Sequence, residues 1–259
     1  MTGVQTCALP ISAGPRLGEN VLDFEHLSKG FKDRLLIDDL TFRVPRGAII
    51  GVIGPNGAGK TTLVNLVTGV YQADSGTVKL AGQDLTNLPM HEIARRGLVR
   101  SFQVTRLFGS LTVRENLHTA FLARRPPGAS DGEVRIEQML DLTTLRPLAD
   151  TQAKKLSGGQ RALLQMGCWF MVPGSCYVLD EPFSGINPVI KDAIIDMIVE
   201  VNRSAGATFL IVSHEMAIVR RLCPQVTVMM EGRVAAHGTL DEVARLPEVL
   251  AGYLGKALE

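Results

Sequence analysis

No apolar run in this 259-residue chain approaches the roughly 18 residues of a membrane-spanning helix, although 46% of its residues are hydrophobic. The chain is therefore not expected to cross a bilayer by itself. It also lacks a charge excess. Lys and Arg number 27 against 26 Asp and Glu, a formal net charge of +1 with no block of one sign. A broad electrostatic grip on nucleic acid is not indicated, although a small local basic patch stays open. Four cysteines, Cys7, Cys168, Cys176 and Cys223, form no C-x-x-C pair, and the five histidines show no metal-ligand spacing. The thiols read as free, small side chains, and no protein-held metal is expected. The length suits one compact domain with a helical subdomain, or at most two small domains.

What the chain does have is an ordered set of short motifs. Gly54-Pro55-Asn56-Gly57-Ala58-Gly59-Lys60-Thr61-Thr62 contains a G-x-x-x-x-G-K-[ST] loop. Its glycines let backbone N–H groups close around a polyphosphate, and Lys60 supplies a point charge to the β and γ oxygens. This reads as a nucleoside triphosphate site, with Thr61 offering its hydroxyl to Mg²⁺. Later come Leu156-Ser157-Gly158-Gly159-Gln160 and the apolar run Tyr177-Val178-Leu179, which ends in Asp180-Glu181. Ser157 is a good N-cap, and the glycines permit close approach, so the helix starting there presents free N–H groups and a positive dipole end to an anion.

The surrounding pattern supplies the context the loop requires. Residues 21–44 read as short strands with a bend at Gly30 and Asp33, and Ala48 to Ile53 is a strand entering the loop, followed by a helix over 61–67. A second hairpin is predicted around 77–84, and helices over 91–96, 113–122, 132–142, 162–172 and 190–201. The runs 177–179 and 208–212 suit strands buried on both faces, which gives βαβ order. Strands over 225–230 and 233–236 precede helical segments over 239–258. Strand ends on one edge of a parallel sheet share a crevice, which would bring Lys60, Asp180 and His214 together.

The ordered motifs resemble the ATP-binding subunits of ABC transporters from about Val21 to the C-terminus. The resemblance implies an α/β fold: a P-loop NTPase core with a RecA-like parallel sheet, an N-terminal antiparallel β part and a helical signature subdomain. The expected divisions are 20–99 and 165–236 for the core, 100–164 for the helical subdomain and 237–259 for a C-terminal tail. Residues 1–11 resemble a translated sequencing adapter and are expected to be a non-native leader, the alternative being a natural disordered terminus.

By the same resemblance Glu181 polarises the attacking water, His214 contacts the γ-phosphate, and Gln103 touches the Mg²⁺ and water region beside the docking groove for a membrane subunit. Asp180 orients Mg²⁺, and Phe31 stacks on adenine. Ser157 to Gln160 complete the ATP site of a second ATP-binding subunit, identical or a sister chain. Two permease subunits, and indirectly a periplasmic or extracellular solute-binding protein, are the implied partners, and the implied location is the cytoplasmic face of a bacterial membrane. Arg106-Leu107-Phe108, Leu111-Thr112-Val113, Glu115-Asn116-Leu117 and Pro247-Glu248-Val249-Leu250 are similar to importers of branched-chain amino acids, or of urea and short amides. A soluble ABC ATPase acting on nucleic acid or ribosomes is the alternative of another class, although the long coiled coil or second ATPase domain usual there is missing. Two departures from the family pattern are Ser184-Gly185-Ile186-Asn187, with asparagine where aspartate is common, and the helix Arg161 to Trp169, in which Trp169 is expected in the core.

Overall fold

The computed structural model describes residues 20–32, 34–101, 107–123 and 131–252. In chain order these form β1 (Asn20–Phe31), β2 (Arg34–Pro45), β3 (Ile49–Ile53), α1 (Lys60–Val67), β4 (Ser75–Leu80), β5 (Gln83–Asp84), α2 (Met90–Arg95) and β6 (Leu98–Arg100). Then follow α3 (Val113–Leu122), α4 (Gly132–Leu142), α5 (Gly158–Met171), β7 (Cys176–Asp180), α6 (Pro188–Ala205), β8 (Thr208–Val212), α7 (Met216–Leu222), β9 (Gln225–Met230), β10 (Arg233–Gly238), α8 (Leu240–Val243) and α9 (Pro247–Gly252). The chain divides into two compact units, one taking in 16–103, 174–184 and 208–259, the other 104–173 and 185–207. The leader expected over 1–11, Gln103 and the bend at Asp33 lie outside the described residues.

The first unit holds two sheets. One has the order β2-β1-β4-β5 and is antiparallel throughout; the other has the order β10-β9-β3-β8-β7-β6 and is parallel except for β10 on β9. In β2 the alternation of Ile37, Leu40, Phe42 and Val44 puts one face in the core, and Phe42 stacks on its cross-strand partner Phe24 at 4.4 Å. By contrast β3, β7 and β8 are buried at every residue, the continuous apolar pattern of central parallel strands. The core between the layers includes Val52, Leu63, Val178, Leu210 and Met229. This arrangement delivers the C-terminal ends of β3, β7 and β8 to one edge, where the glycine loop and the Asp180-Glu181 pair emerge.

The second unit is helical, built from α3, α4, α5 and α6 around Leu117, Ile136, Leu140, Leu164, Phe170 and Ile198. One close approach within it is at Gly167 of α5, where even a Cβ would lie 2.9 Å from Thr143 Cγ2 and 3.2 Å from Met139 Cγ. Trp169 is only half-buried, whereas Phe170 is fully enclosed. The core position expected for Trp169 is therefore taken by its neighbour, because the buried face of α5 runs through Leu163, Met166, Gly167 and Phe170 at helical spacing. Residues 190–201, read from sequence as lying within the core division, belong to α6 and group with this helical unit, since α6 packs on α5.

Candidate active site

Between β3 and α1 the backbone runs through Gly54 at φ 148° and Gly59 at φ 95°. A Cβ at Gly54 would sit 2.0 Å from the Met229 carbonyl oxygen, so only glycine fits there. Gly59 is the N-cap of α1 and contributes no side-chain cap, which leaves the first N–H groups of the helix open to a ligand. These residues border a cleft of about 300 Å³ lined by Asn56, Gly57, Gly59, Lys60, Thr61 and Thr62 from the loop and helix, Arg34 and Leu36 from β2, Asp180 and Glu181 after β7, and Val212. Gly54, Pro55 and Ala58 shape the loop from behind. Ala58 is buried and donates its N–H to Pro55 O at 3.2 Å.

The cleft gathers two cations, Arg34 and Lys60, and two carboxylates, Asp180 and Glu181. Lys60 Nζ donates to Gly54 O at 2.6 Å and Pro55 O at 2.9 Å, and its burial holds its pKa below the ordinary lysine value. Asp180 is 3% exposed, and neither of its carboxylate oxygens has a hydrogen-bond partner among the described residues. Burial pushes its pKa up against the opposing pull of Arg100 and Lys60. A buried carboxylate without donors is costly unless a cation comes to it. Asp180 and the Thr61 hydroxyl, both lining a cleft fit for phosphates, match the way Mg²⁺ is held, by one or two carboxylates plus phosphate oxygens. Among the described residues no group of three His, Cys, Asp or Glu side chains could hold a metal alone.

Glu181 sits at φ 50°, a left-handed conformation rare for a residue with a side chain, fixed by its N–H to Val212 O at 2.9 Å. The twist turns its carboxylate into the cleft. There Oε1 lies 2.9 Å from His214 Nδ1 while Oε2 is buried without a hydrogen-bond partner. His214 is largely exposed and reaches the cleft through Glu181. Phe31, at the end of β1, does not line the cleft; its ring is exposed and meets Tyr71 edge-on at 5.0 Å.

Ser157 to Gln160 belong to the helical unit. Ser157 Oγ accepts the Gln160 N–H at 3.2 Å, and Gln160 Oε1 accepts the Ser157 N–H at 2.9 Å, a reciprocal cap that starts α5. A Cβ at Gly159 would lie 2.7 Å from Ile190 Cγ1, whereas one at Gly158 would meet nothing within 4 Å.

The profile of the ABC transporter family matches residues 37–184. This chain belongs to that family. It is 37% identical over 246 residues to "Probable branched-chain amino acid transport ATP-binding protein LivG" of Archaeoglobus fulgidus, covering 91% of this chain and 95% of that one. To "High-affinity branched-chain amino acid transport ATP-binding protein BraF" of Pseudomonas aeruginosa it is 32% identical, with 92% and 98% covered. The "Lipopolysaccharide export system ATP-binding protein LptB" of Escherichia coli is also 32% identical, with 91% and 97% covered. Among solved structures, the ADP conformation of an ATP-binding cassette of an ABC transporter superposes with a TM-score of 0.79 at 32% identity, covering 91% of this chain and 99% of that one. The chain is thus an ABC-type ATPase that binds adenine nucleotide.

Sequence reasoning missed four residues of this ABC site. Arg34, Leu36 and Val212 line the cleft, and Ser101 Oγ accepts the Asp180 N–H at 2.9 Å. Leu36 and Val212 were visible only as strand residues, and no spacing rule ties the three-residue strand β6 to Asp180.

Proposed function

We propose that this ABC ATPase powers a bacterial importer of a small polar solute, with branched-chain amino acids as the cargo, and that it works with Mg²⁺. The observation that carries the site assignment is the buried, donor-free Asp180 carboxylate beside Lys60 and Glu181 under the glycine loop. Lys60, the loop amides and the open N-terminus of α1 bind the β and γ phosphates, and Thr61 and Asp180 hold the metal. Bound Mg²⁺ would neutralise charge on the phosphate oxygens. Glu181, oriented by His214, takes the proton of the attacking water, and Phe31 offers its exposed face to the base. Gln103, the contact to the Mg²⁺ and water region that the family resemblance implies, lies outside the described residues.

Ser157, Gly158, Gly159 and Gln160 meet the γ-phosphate held by a second ATP-binding subunit, so that ATP closes a head-to-tail pair on the cytoplasmic face of two permease subunits. A solute-binding protein outside the membrane delivers the cargo. The relatives named for branched-chain amino acid transport support this cargo, at 37% and 32% identity over more than nine-tenths of the chain. The decisive experiment is affinity isolation of Glu181→Gln with Mg²⁺ and ATP from native-source membranes. Two hydrophobic permeases should come with it; recovery of nucleic acid or ribosomes, or of no membrane protein, would overturn the importer. ATPase assay with Lys60→Ala as the inactive control checks the site itself.

A further inference from the structure

Arg100 ends β6 at the edge of the six-stranded sheet, and the proposed reaction gives it nothing to do. Its side chain is only 14% exposed, and Nη2 lies 4.0 Å from Asp180 Oδ2. On the other side Nη1 donates to Thr68 Oγ1 at 2.9 Å. Thr68 is itself buried, forms the C-cap of α1, and donates its hydroxyl to Val64 O at 2.6 Å. The guanidinium is therefore held at the far end of the phosphate-loop helix and directed at the acid. The next residue, Ser101, accepts the Asp180 N–H at 2.9 Å and is also buried. One dipeptide at the sheet edge thus touches Asp180 twice, once by charge and once by a hydrogen bond to its backbone.

An exposed ion pair with this spacing would carry little weight. Here the acid is enclosed and its oxygens lack donors, so a neighbouring cation is what makes its charge tolerable. Lys60 is the other cation acting on Asp180, and its ammonium donates to the Gly54 and Pro55 carbonyls. Of the two, Arg100 has the larger electrostatic effect on Asp180.

We propose that Arg100 is a positioning residue, the built-in cation that holds Asp180 when no metal is there and that an incoming divalent ion must outcompete. This rests on the reading of Asp180 as the Mg²⁺ carboxylate. Two cations repel one another across a shared carboxylate, so metal arrival loosens Arg100. Because Arg100 is tied to Thr68, and Ser101 to Asp180, the change is felt at the end of α1 and at the end of β6.

The test compares wild type with Arg100→Met, Arg100→Lys and Asp180→Asn, all as the full chain. Thermal midpoints are measured in EDTA and in saturating Mg²⁺ with ADP, and the Mg²⁺ concentration that half-maximally tightens a fluorescent ADP analogue is titrated. For Arg100→Met the midpoint in EDTA should drop, the deficit should close with Mg²⁺ and ADP, and the half-saturating Mg²⁺ should fall by about tenfold. Arg100→Lys, which retains a charge, should recover part of both effects, and it carries the test if the methionine variant does not fold. An equal deficit in both buffers with an unmoved Mg²⁺ titration would overturn the proposal and leave Arg100 a packing residue. If Asp180→Asn leaves the Mg²⁺ dependence intact, the metal assignment itself fails. If Asp180→Asn abolishes that dependence but Arg100→Met does not shift it, only the role of Arg100 fails.

Discussion

Asp74 ties down the turn end of the first hairpin. Its carboxylate accepts the Gly30 N–H at 2.7 Å and Lys29 Nζ at 2.6 Å, and Lys29 lies over the Phe31 ring. The Gly30 N–H first, then Lys29, hold the Asp74 pKa below the ordinary aspartate value. A folded-state pKa below the unfolded one means the native chain releases the proton more readily. The resulting stability is fully present above the unfolded aspartate pKa and is lost as pH falls through the lower, folded value. Asp74→Asn should therefore lower the thermal midpoint at neutral pH, and the gap from wild type should close below the ordinary aspartate range. Midpoints measured across acid pH check this, and a gap that persists unchanged at the acid end would show that the charge is not the cause. At this scale the sequence was informative where chemistry dictates identity. Lys60 and Thr61 were named from motif spacing and Asp180 and Glu181 from the family resemblance, and all four line one cleft. It was uninformative where backbone conformation decides, as for the left-handed Glu181, because nothing in Leu179-Asp180-Glu181-Pro182 signals a positive φ.

Among elements, the short string Glu115-Asn116-Leu117 shows what a family-like motif does physically. Glu115 completes a capping box with Thr112 at the start of α3, and Leu117 is fully buried. Asn116 is buried as well: its Nδ2 donates to the carbonyls of Phe108, Leu111 and Thr112, and its Oδ1 accepts the Phe108 N–H at 2.9 Å. One amide thereby fixes the turn from Phe108 to Thr112 onto α3. Asn116→Ala would leave the part-buried Phe108 N–H without this acceptor and take a second donor from three carbonyls that each keep a backbone N–H, and the expected loss is about 1–3 kcal/mol. Urea denaturation measures it, and a change below about 0.5 kcal/mol would mean that water replaces the amide. Long periodic elements such as α3 and α4 were legible to the residue, since their apolar spacing spans two or three turns. The strand Leu98–Arg100 and the helix Met216–Leu222 were not predicted. The strand has three residues, and the helix has seven and no side-chain cap. Each forms because a neighbour receives it: Leu98–Arg100 pairs with residues 176–178 of β7, and the helix buries Ile218, Val219 and Leu222.

For the whole molecule, the candidate cleft and the signature helix belong to different units, and at the start of that helix a Cβ added to Gly158 would meet nothing within 4 Å. Gly158 is the residue that separates folding from assembly. A Cβ there meets nothing within 4 Å and its backbone is not in the left-handed region, so Gly158→Asp should fold normally. An aspartate in the first turn even suits the helix dipole. If the α5 N-terminus receives a second subunit's γ-phosphate, the same carboxylate would stand against that phosphate and repel it. Glu181→Gln with Mg²⁺ and ATP should then elute at the mass of a dimer, because ATP binds but the water is not activated. The double variant Gly158→Asp/Glu181→Gln should elute as a monomer while retaining the thermal midpoint and nucleotide affinity of Glu181→Gln alone. Size-exclusion chromatography with light scattering reads the first quantity, and thermal and fluorescence titrations read the others. Dimer formation by the double variant would place the second subunit's phosphate elsewhere. A monomer that also loses nucleotide affinity would instead mean that Gly158 acts on its own chain's cleft.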